Sequence, residues 1–452
     1  MRKSSKRQPL KELLIVFAGL VALLFVVFAI YWHEINVMPS VVIPTPAMPK
    51  PNAFDTFNTA AKLVRDSDQW NEAAADRPAG FTNSYDPDDH YYPMAIKEKY
   101  LSENLLAMAK VREGFPYSYM STRQRSFSSV MPYLAQFRNL ARLFGFASLV
   151  ESKRGNWKIA VDDGLDAVQI GQMVPLNGGM YERLTGVACS AIGRKKIWSD
   201  IDHLNVGQAE SASQRLEKLR AIDCPIADTW QQEKWTRQAS LLEVLRAPGY
   251  PNGALSAYMH LIGMASIQPF MRDLAIANGY RASKRQVMAS ATKYYDGLIK
   301  NANQPHPVLL PDPALPTDWI DILQMTYLED GPQPNRGRTL AFRTLDNRAQ
   351  NAMLETALAL RAYDLDHGRY PESLSKLAPA YLKAVPTDPF APRAHLRYRL
   401  KGKSYLLYSV GPDGKDDGGK PIYSSGNNAY GIPLKHRVMP DSKGDIVAGV
   451  NM

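Results

Sequence analysis

The longest unbroken pattern in the chain is apolar. Leu13 to Trp32 reads LLIVFAGLVALLFVVFAIYW, without a charge, and a helix of about 20 such residues crosses the hydrocarbon core of a bilayer. Glu12 marks one edge, and Tyr31, Trp32 and His33 stand where an interfacial belt belongs. Its length and position argue against a buried core helix. A cleaved signal peptide would have a shorter apolar region followed by small residues. Here IYWHEINVM follows, with bulky side chains and no cysteine nearby for lipid attachment. The pattern predicts a retained signal anchor. Beyond it, VMPSVVIPTPAMPKPN sets five prolines between Val37 and Asn52, which favours a stiff, extended spacer lifting a domain off the membrane.

From Ala53 to about Arg343 apolar residues recur at helical spacing. AFDTFNTAAKLVRD has cap candidates in Asn52 and Asp55. MAIKEKYLSENLLAMAKVREG, VMPYLAQFRNLARLFGFASLVESKRG, GNWKIAVDDGLDAVQIGQMV and GGMYERLTGVACSAIGRKKIW follow, with Gly155, Gly178 and Gly179 as helix stops. Each segment has one apolar stripe to bury, and antiparallel helix packing is the economical answer. RGNWKIAVDDGLDAVQIGQ has the flavour of a helical-repeat hairpin. No second copy stands at the usual spacing of about 34 residues, so the prediction is an irregular helical domain. QRLEKLRAI, EKWTRQASLLEVLRAPGYPNG and the Met-rich SAYMHLIGMASIQPFM extend it; methionines in such a stretch more often fill core gaps than line a groove. HPVLLPDPALPTDW reads as a loop.

The character changes at about Thr344. LDNRAQNAMLETALALRAYDLDHGRYPESL opens with a long helix, with Met353, Ala357 and Leu360 on one face and Leu354 and Leu358 beside it. Gly368 ends it and Pro371 prevents a restart. A proline-studded loop leads to two short strands, LRYRL and SYLLYSV, joined by KGK as a hairpin. The Gly/Asp loop of YSVGPDGKDDGG comes directly after the second strand. The expected fold class is mainly α: a basic tail over residues 1–12, a transmembrane helix over 13–32, a Pro-rich spacer over 33–52, a large irregular α-helical domain over 53–343 and a small α+β domain over 344–452.

Charge sharpens this outline. The net charge is +10, and Arg2, Lys3, Lys6, Arg7 and Lys11 cluster ahead of the anchor. No other basic run would track a nucleic-acid backbone, so no nucleic-acid partner is expected. The positive flank stays in the cytoplasm, which puts the C-terminal bulk outside. In an oxidising compartment Cys189 and Cys224 could pair, or they could be two separate buried thiols, since Cys189 sits in the apolar helical stretch GVACSAIG.

The series LRAYDLDHGRYPESL, AVPTDPFAP, LRYRLKGKSYLLYSVGPDGKDDGG and GDIV resembles the C-terminal domain of the type II secretion major pseudopilin. The resemblance covers roughly the last quarter of the chain. It implies a pseudopilin-like α+β fold and a calcium-binding loop, with Asp445 in the place of the family's later acidic ligand. PLKELLIVFAGL lacks the family's processing site, and about three hundred residues separate the anchor from the last domain, so processing and polymerisation as a pilin are not expected. The helical part is similar to uncharacterised bacterial membrane-anchored helical proteins that end in the same domain. The expected location is therefore the bacterial inner (cytoplasmic) membrane, single-pass.

Calcium favours several oxygen ligands in a flexible loop. Asp413, Asp416, Asp417 and Asp445 are the candidate metal ligands, with calcium as the candidate cofactor. The alternative is a Gly/Asp turn that needs no ion. The loop fails as an EF-hand, because Lys415 and Ser424 hold its third and twelfth positions. YDPDDHYY, with Asp86, Asp88, Asp89 and His90, reads as a capped surface loop ahead of a metal site. KGKS, Lys401 to Ser404, lacks the first glycine of a phosphate loop and lies in a hairpin turn. SATK, Ser290 to Lys293, has no Lys-Thr-Gly partner. His260 reads as a core histidine, and Asp162 and Asp163 as a solvated helix face. No catalytic residue is assigned. The leading expectation is a membrane-anchored extracytoplasmic binding or scaffold protein, secretion- or envelope-associated, with an unidentified protein partner. The alternative is an extracytoplasmic hydrolase whose site is assembled in the helical domain.

Overall fold

A computed structural model describes residues 8–65, 94–121, 132–222, 224–246, 283–313, 335–424 and 436–451. The stretches YDPDDHYY and SAYMHLIGMASIQPFM, with His260, lie outside these residues. Helix α1 (Gln8–Asn36) carries the apolar run and is long and apolar enough to cross a membrane; none of its apolar window is buried against the rest of the protein.

The spacer is extended, as its prolines require, but it is not a free tether. Ile35 is buried at the helix exit, and Met38 and Val41 pack on Leu241, Leu245, Val287 and Met288. At its far end Asn52 caps α2 (Ala53–Leu63) by accepting from the Phe54 N–H at 3.1 Å. The same side chain exchanges hydrogen bonds with the Met120 backbone. The spacer is thus pinned at both ends, because its apolar residues find a groove and its cap residue finds a second strand of chain. The body lies against the anchor's exit.

Helices α3 (Met94–Gly114), α4 (Pro132–Lys153), α5 (Trp157–Met173) and α6 (Met180–Asp200) pack with α2 around an aromatic core. Phe137 meets Phe54 and Phe57 edge-on, each at 5.7 Å between ring centroids, the geometry that ring quadrupoles favour. Gly155, at φ +78°, turns the chain between α4 and α5. Helices α5 and α6 approach each other closely. Gly171 faces Gly186, and Gly164 faces Gly193, two turns further along the same antiparallel pair. A Cβ on Gly171 would lie 2.6 Å from the Gly186 carbonyl oxygen, and one on Gly186 would lie 2.5 Å from that of Gly171. Only glycine permits this backbone approach.

Helices α7 (Val206–Arg220), α8 (Ile226–Arg246) and α9 (Lys284–Ala302) continue the bundle. Capping boxes start α7 at Asn205 and Gln208 and α9 at Ser283 and Gln286, each satisfying two otherwise unpaired N–H groups. Helix α10 (Arg336–His367) is buried over most of its length and ends at Gly368 with φ +66°. One core cluster joins Leu165, Ile197, Leu216 and Trp230 of the helices to Met353 and Leu360 of α10 and to Leu407 and Ile446 of the strands. The boundary expected after Arg343 therefore falls within α10, which serves both parts of the molecule.

Strands β1 (Thr387–Asp388) and β2 (Ala391–His395) form a small antiparallel pair, within what the proline pattern marks as loop. A second sheet has the order β3-β4-β5, all antiparallel. It pairs β3 (Arg397–Lys401) with β4 (Ser404–Ser409) through the Gly402 turn at φ +58°, and adds β5 (Ile446–Val447). The fold is mainly helical, with an N-terminal apolar helix and a small C-terminal sheet region.

The seam makes a direct prediction. Gly171→Ala should lower the thermal midpoint of the full-length protein in detergent, at a cost of about 2 kcal/mol, although alanine is intrinsically the better helix former by about 1 kcal/mol. Gly207→Ala is the control, since its Cβ would meet only Asn205 Oδ1 at 3.9 Å; its midpoint should be unchanged or raised. A Gly171→Ala protein melting with the wild type would contradict the close approach.

Candidate functional site

The acidic loop is held by hydrogen bonds to its own backbone. Asp445, on the approach to β5, is buried and accepts from the Gly419 N–H at 2.7 Å and the Asp417 N–H at 3.3 Å. Burial raises its pKa against the opposing pull of those N–H groups. Asp416 accepts from the Tyr408 hydroxyl at 2.9 Å, the Gly418 N–H at 3.0 Å and Arg397 Nε at 3.0 Å. Burial opposes its ionisation, but the three donors together hold its pKa below the ordinary value. Asp413 accepts from the Lys415 N–H. The four candidate ligands thus share one loop region, but the carboxylates of Asp416 and Asp445 face N–H, O–H and guanidinium donors. Among the described residues no three metal-ligating side chains converge on a point that could hold an ion. Arg397 sets a cation against Asp416 at the edge of this loop. Asp388, in the PTDPF step, is the loop's deeper brace. It is fully buried and accepts from the Ser409 hydroxyl at 2.6 Å, the Phe390 N–H at 3.0 Å and the Val410 N–H at 2.9 Å.

The expectation that Asp162 and Asp163 form a solvated face holds for Asp162 only. Asp162 is half-buried and pairs with Lys158 at 2.8 Å. Asp163 points inward, one helical step round, and is buried. It is met by Arg112, which also engages Asp166 at 2.6 Å. Asp166 is held from its other side by Arg215. Burial pushes the Asp163 carboxyl up to about 7, with Arg112 opposing and Asp166 reinforcing the shift. The helix alternation was visible in the sequence, but the arginines come from α3 and α7, and only the fold brings them in.

Further buried polar groups link α6 to α4 and to α10, and α7 to α10. Glu182 accepts from Tyr133 Oη at 2.8 Å and caps α6 through the Gly179 N–H at 3.0 Å. Arg194 donates to the side-chain oxygens of Asn347 and Asn351, and burial lowers its pKa to about 10 against the pull of Asp346. Arg220 pairs with the fully buried Glu355. Both cysteines are free thiols: Cys189 is buried, and Cys224 is half-buried, with its sulfur 2.8 Å from Arg183 Nη2. KGKS forms the β3–β4 turn and SATK lies inside α9.

A cleft of about 420 Å³ opens where these elements meet. The end of α5 contributes Gln172, the end of α7 Arg220, and the start of α8 Pro225 and Ile226. One face of α10 contributes Leu345, Arg348 and Asn351, at helical spacing. The chain after α9, with Gln304, Pro305 and Pro307, and the β1–β2 pair, with Thr387, Pro389 and Pro392, close the other side. The described lining holds two arginines and no carboxylate. Arg348 donates to the Cys224 carbonyl at 2.8 Å, which sets its guanidinium at the wall. None of these residues stood out in the sequence, because they come from six separate segments.

The buried acid gives a pH prediction. Folded Asp163 holds its proton to about pH 7, whereas in the unfolded chain it releases it near 3.9. Between those values the folded state binds more protons, so this group's contribution to stability falls as pH rises. Asp163→Asn should flatten the decline of melting midpoint between about pH 4 and 7 relative to the wild type. Identical slopes would show that the carboxyl is ionised throughout. Compared with known proteins, the chain matches no family model, no curated protein and no solved structure.

Proposed function

We propose that the protein is a membrane-anchored extracytoplasmic binding or scaffold protein, associated with secretion or the envelope. The observation that carries this reading is the docking of the anchor's exit on the body, where Met38 and Val41 pack against α8 and α9 and Ile35 is buried at the helix end. A tether that merely retains a protein needs no such contact. A docked exit gives the body a fixed attitude at the membrane, which is what presentation of a binding surface requires. The basic cluster before α1 supports a cytoplasmic N-terminus. The hydrolase reading needs carboxylates free to exchange protons with a substrate. The nearest pair, Asp163 and Asp166, is clasped by Arg112 and Arg215, and it gains no support from the cleft.

A pseudopilin-like last quarter belongs to the same proposal. It is supported by the order of α10, its Gly368 stop, the β3–β4 hairpin, the acidic loop and β5. Burial of α10 against α6 and α7 argues that this unit does not assemble as a pilin. Under this reading calcium is the ion to try, and it would have to displace the N–H donors of Asp416 and Asp445.

Two experiments test the proposal. Alkaline washing should leave the full-length chain in the membrane pellet, and protease added outside intact spheroplasts should remove the body. A soluble, shortened chain, or a protected body, would contradict the anchor or its orientation. Melting the full-length protein in detergent with calcium and with chelator should give equal midpoints for a loop braced by hydrogen bonds alone. A rise of several degrees with calcium would make the ion part of the fold.

A further inference from the structure

The end of the body that meets the anchor carries two arginines without a partner among the described residues. Helices α8 and α9 run antiparallel, and two contacts fix their register: Lys234 pairs with Asp296, and Gln238 Nε2 donates to Thr292 Oγ1 at 3.0 Å. Each turn forward along α8 is matched by a turn back along α9. Two further turns bring Arg246, the last residue of α8, level with Lys284 and Arg285, the first residues of α9. Arg246 and Arg285 are both exposed, and neither makes an ion pair or a hydrogen bond with a described residue. Glu243 and Glu34 are exposed acids on the ends of α8 and α1, and neither pairs with these arginines. The capping box of Ser283 and Gln286 already closes the start of α9. The guanidinium groups, not the helix end, are the feature that calls for an anion.

This is also where the anchor meets the body. Helix α1 touches α9, and Met38 and Val41 pack on Leu241 and Leu245 of α8 and on Val287 and Met288 of α9. Between Trp32, at its interfacial position, and Met38 the chain is helical to Asn36 and extended beyond it. The packed cluster therefore stands at most about 13 Å past Trp32. Headgroups occupy roughly the first 5–8 Å outside the hydrocarbon, and their charge is felt for about a further 8–10 Å. Both arginines are within reach of lipid phosphates. Two guanidinium groups side by side repel each other, and an anion shared between them removes that cost. The planar fork of arginine takes phosphate oxygens in pairs.

We propose that Arg246 and Arg285 hold the phosphate of a membrane phospholipid at the exit of the anchor. The proposal rests on the membrane attachment above and names a contact that fixes the attitude of the body there.

The test uses the full-length protein in dodecyl maltoside, a detergent without phosphate, with dihexanoylphosphatidylglycerol as the probe. Adding the lipid should slow hydrogen exchange of residues 241–246 and 284–290 at least about fivefold. Dihexanoylglycerol, with the same acyl chains and no phosphate, should leave exchange unchanged. Arg246→Gln combined with Arg285→Gln should abolish the slowing, while the melting midpoint stays level because neither side chain has a partner to lose. Glu243→Gln removes an acid beside the site and should strengthen the slowing at equal lipid concentration. No slowing in the wild type, equal slowing by dihexanoylglycerol, or slowing that survives the double substitution would each overturn the proposal. Inorganic phosphate acting as well as the lipid would also overturn it, since the site would then serve a free anion. Release of the chain by alkaline washing is a separate result, and it would remove the membrane attachment itself.

Discussion

Two glycine pairs set the spacing of the helical body. Gly171 with Gly186, and Gly164 with Gly193, bring the backbones of α5 and α6 to a separation that no Cβ allows. Helix packing normally places side-chain ridges between axes some 8–10 Å apart. Here the side chains are missing along a seam two turns long, and the neighbouring residues pack around it instead. Val168 and Ile197 turn to one core cluster, and Ile170 and Cys189 to the other. The pair thus forms the wall between the aromatic core on α2–α4 and the larger core around α10. A shift of either helix would disturb both.

The polar interior depends on that wall. Asp163 and Asp166 stand on α5 where Arg112 of α3 and Arg215 of α7 can reach them, and Arg194 of α6 reaches Asn347 and Asn351 of α10. Such groups cost a great deal to bury alone and little when paired, so they fix how helices face one another more than they add to stability. The cleft lies at the end of α5, next to Gly171, between α10 and the β1–β2 pair.

The parts of this architecture that are written in local pattern were legible in the sequence. The charge-free run ending at Trp32 marked α1, Asn52 the cap of α2, Gly368 the stop of α10, and KGK the hairpin of β3 and β4. What depends on packing was not legible. The inward turn of Asp163 needs Arg112 from a helix that is distant in sequence. The spacer's attachment needs Leu241 and Met288, some two hundred residues further on. Composition changes at about Thr344, while the helix runs on from Arg336 to His367. The cleft draws its lining from α5, α7, α8, α10, the chain after α9 and the β1–β2 pair, and no short motif encodes such a set. The Gly/Asp loop was conspicuous because glycine and aspartate are turn chemistry, and turns are conspicuous whether or not they bind an ion.

Native-state hydrogen exchange followed residue by residue tests the central claim most directly, since it ranks segments by the free energy of their opening. If the glycine seam organises the body, the amides of α5 and α6 facing it should be among the slowest to exchange. They should open together with the middle of α10, at the free energy of global unfolding. Faster exchange at Gly164–Gly171 and Gly186–Gly193 than in the peripheral α8–α9 pair would contradict the account.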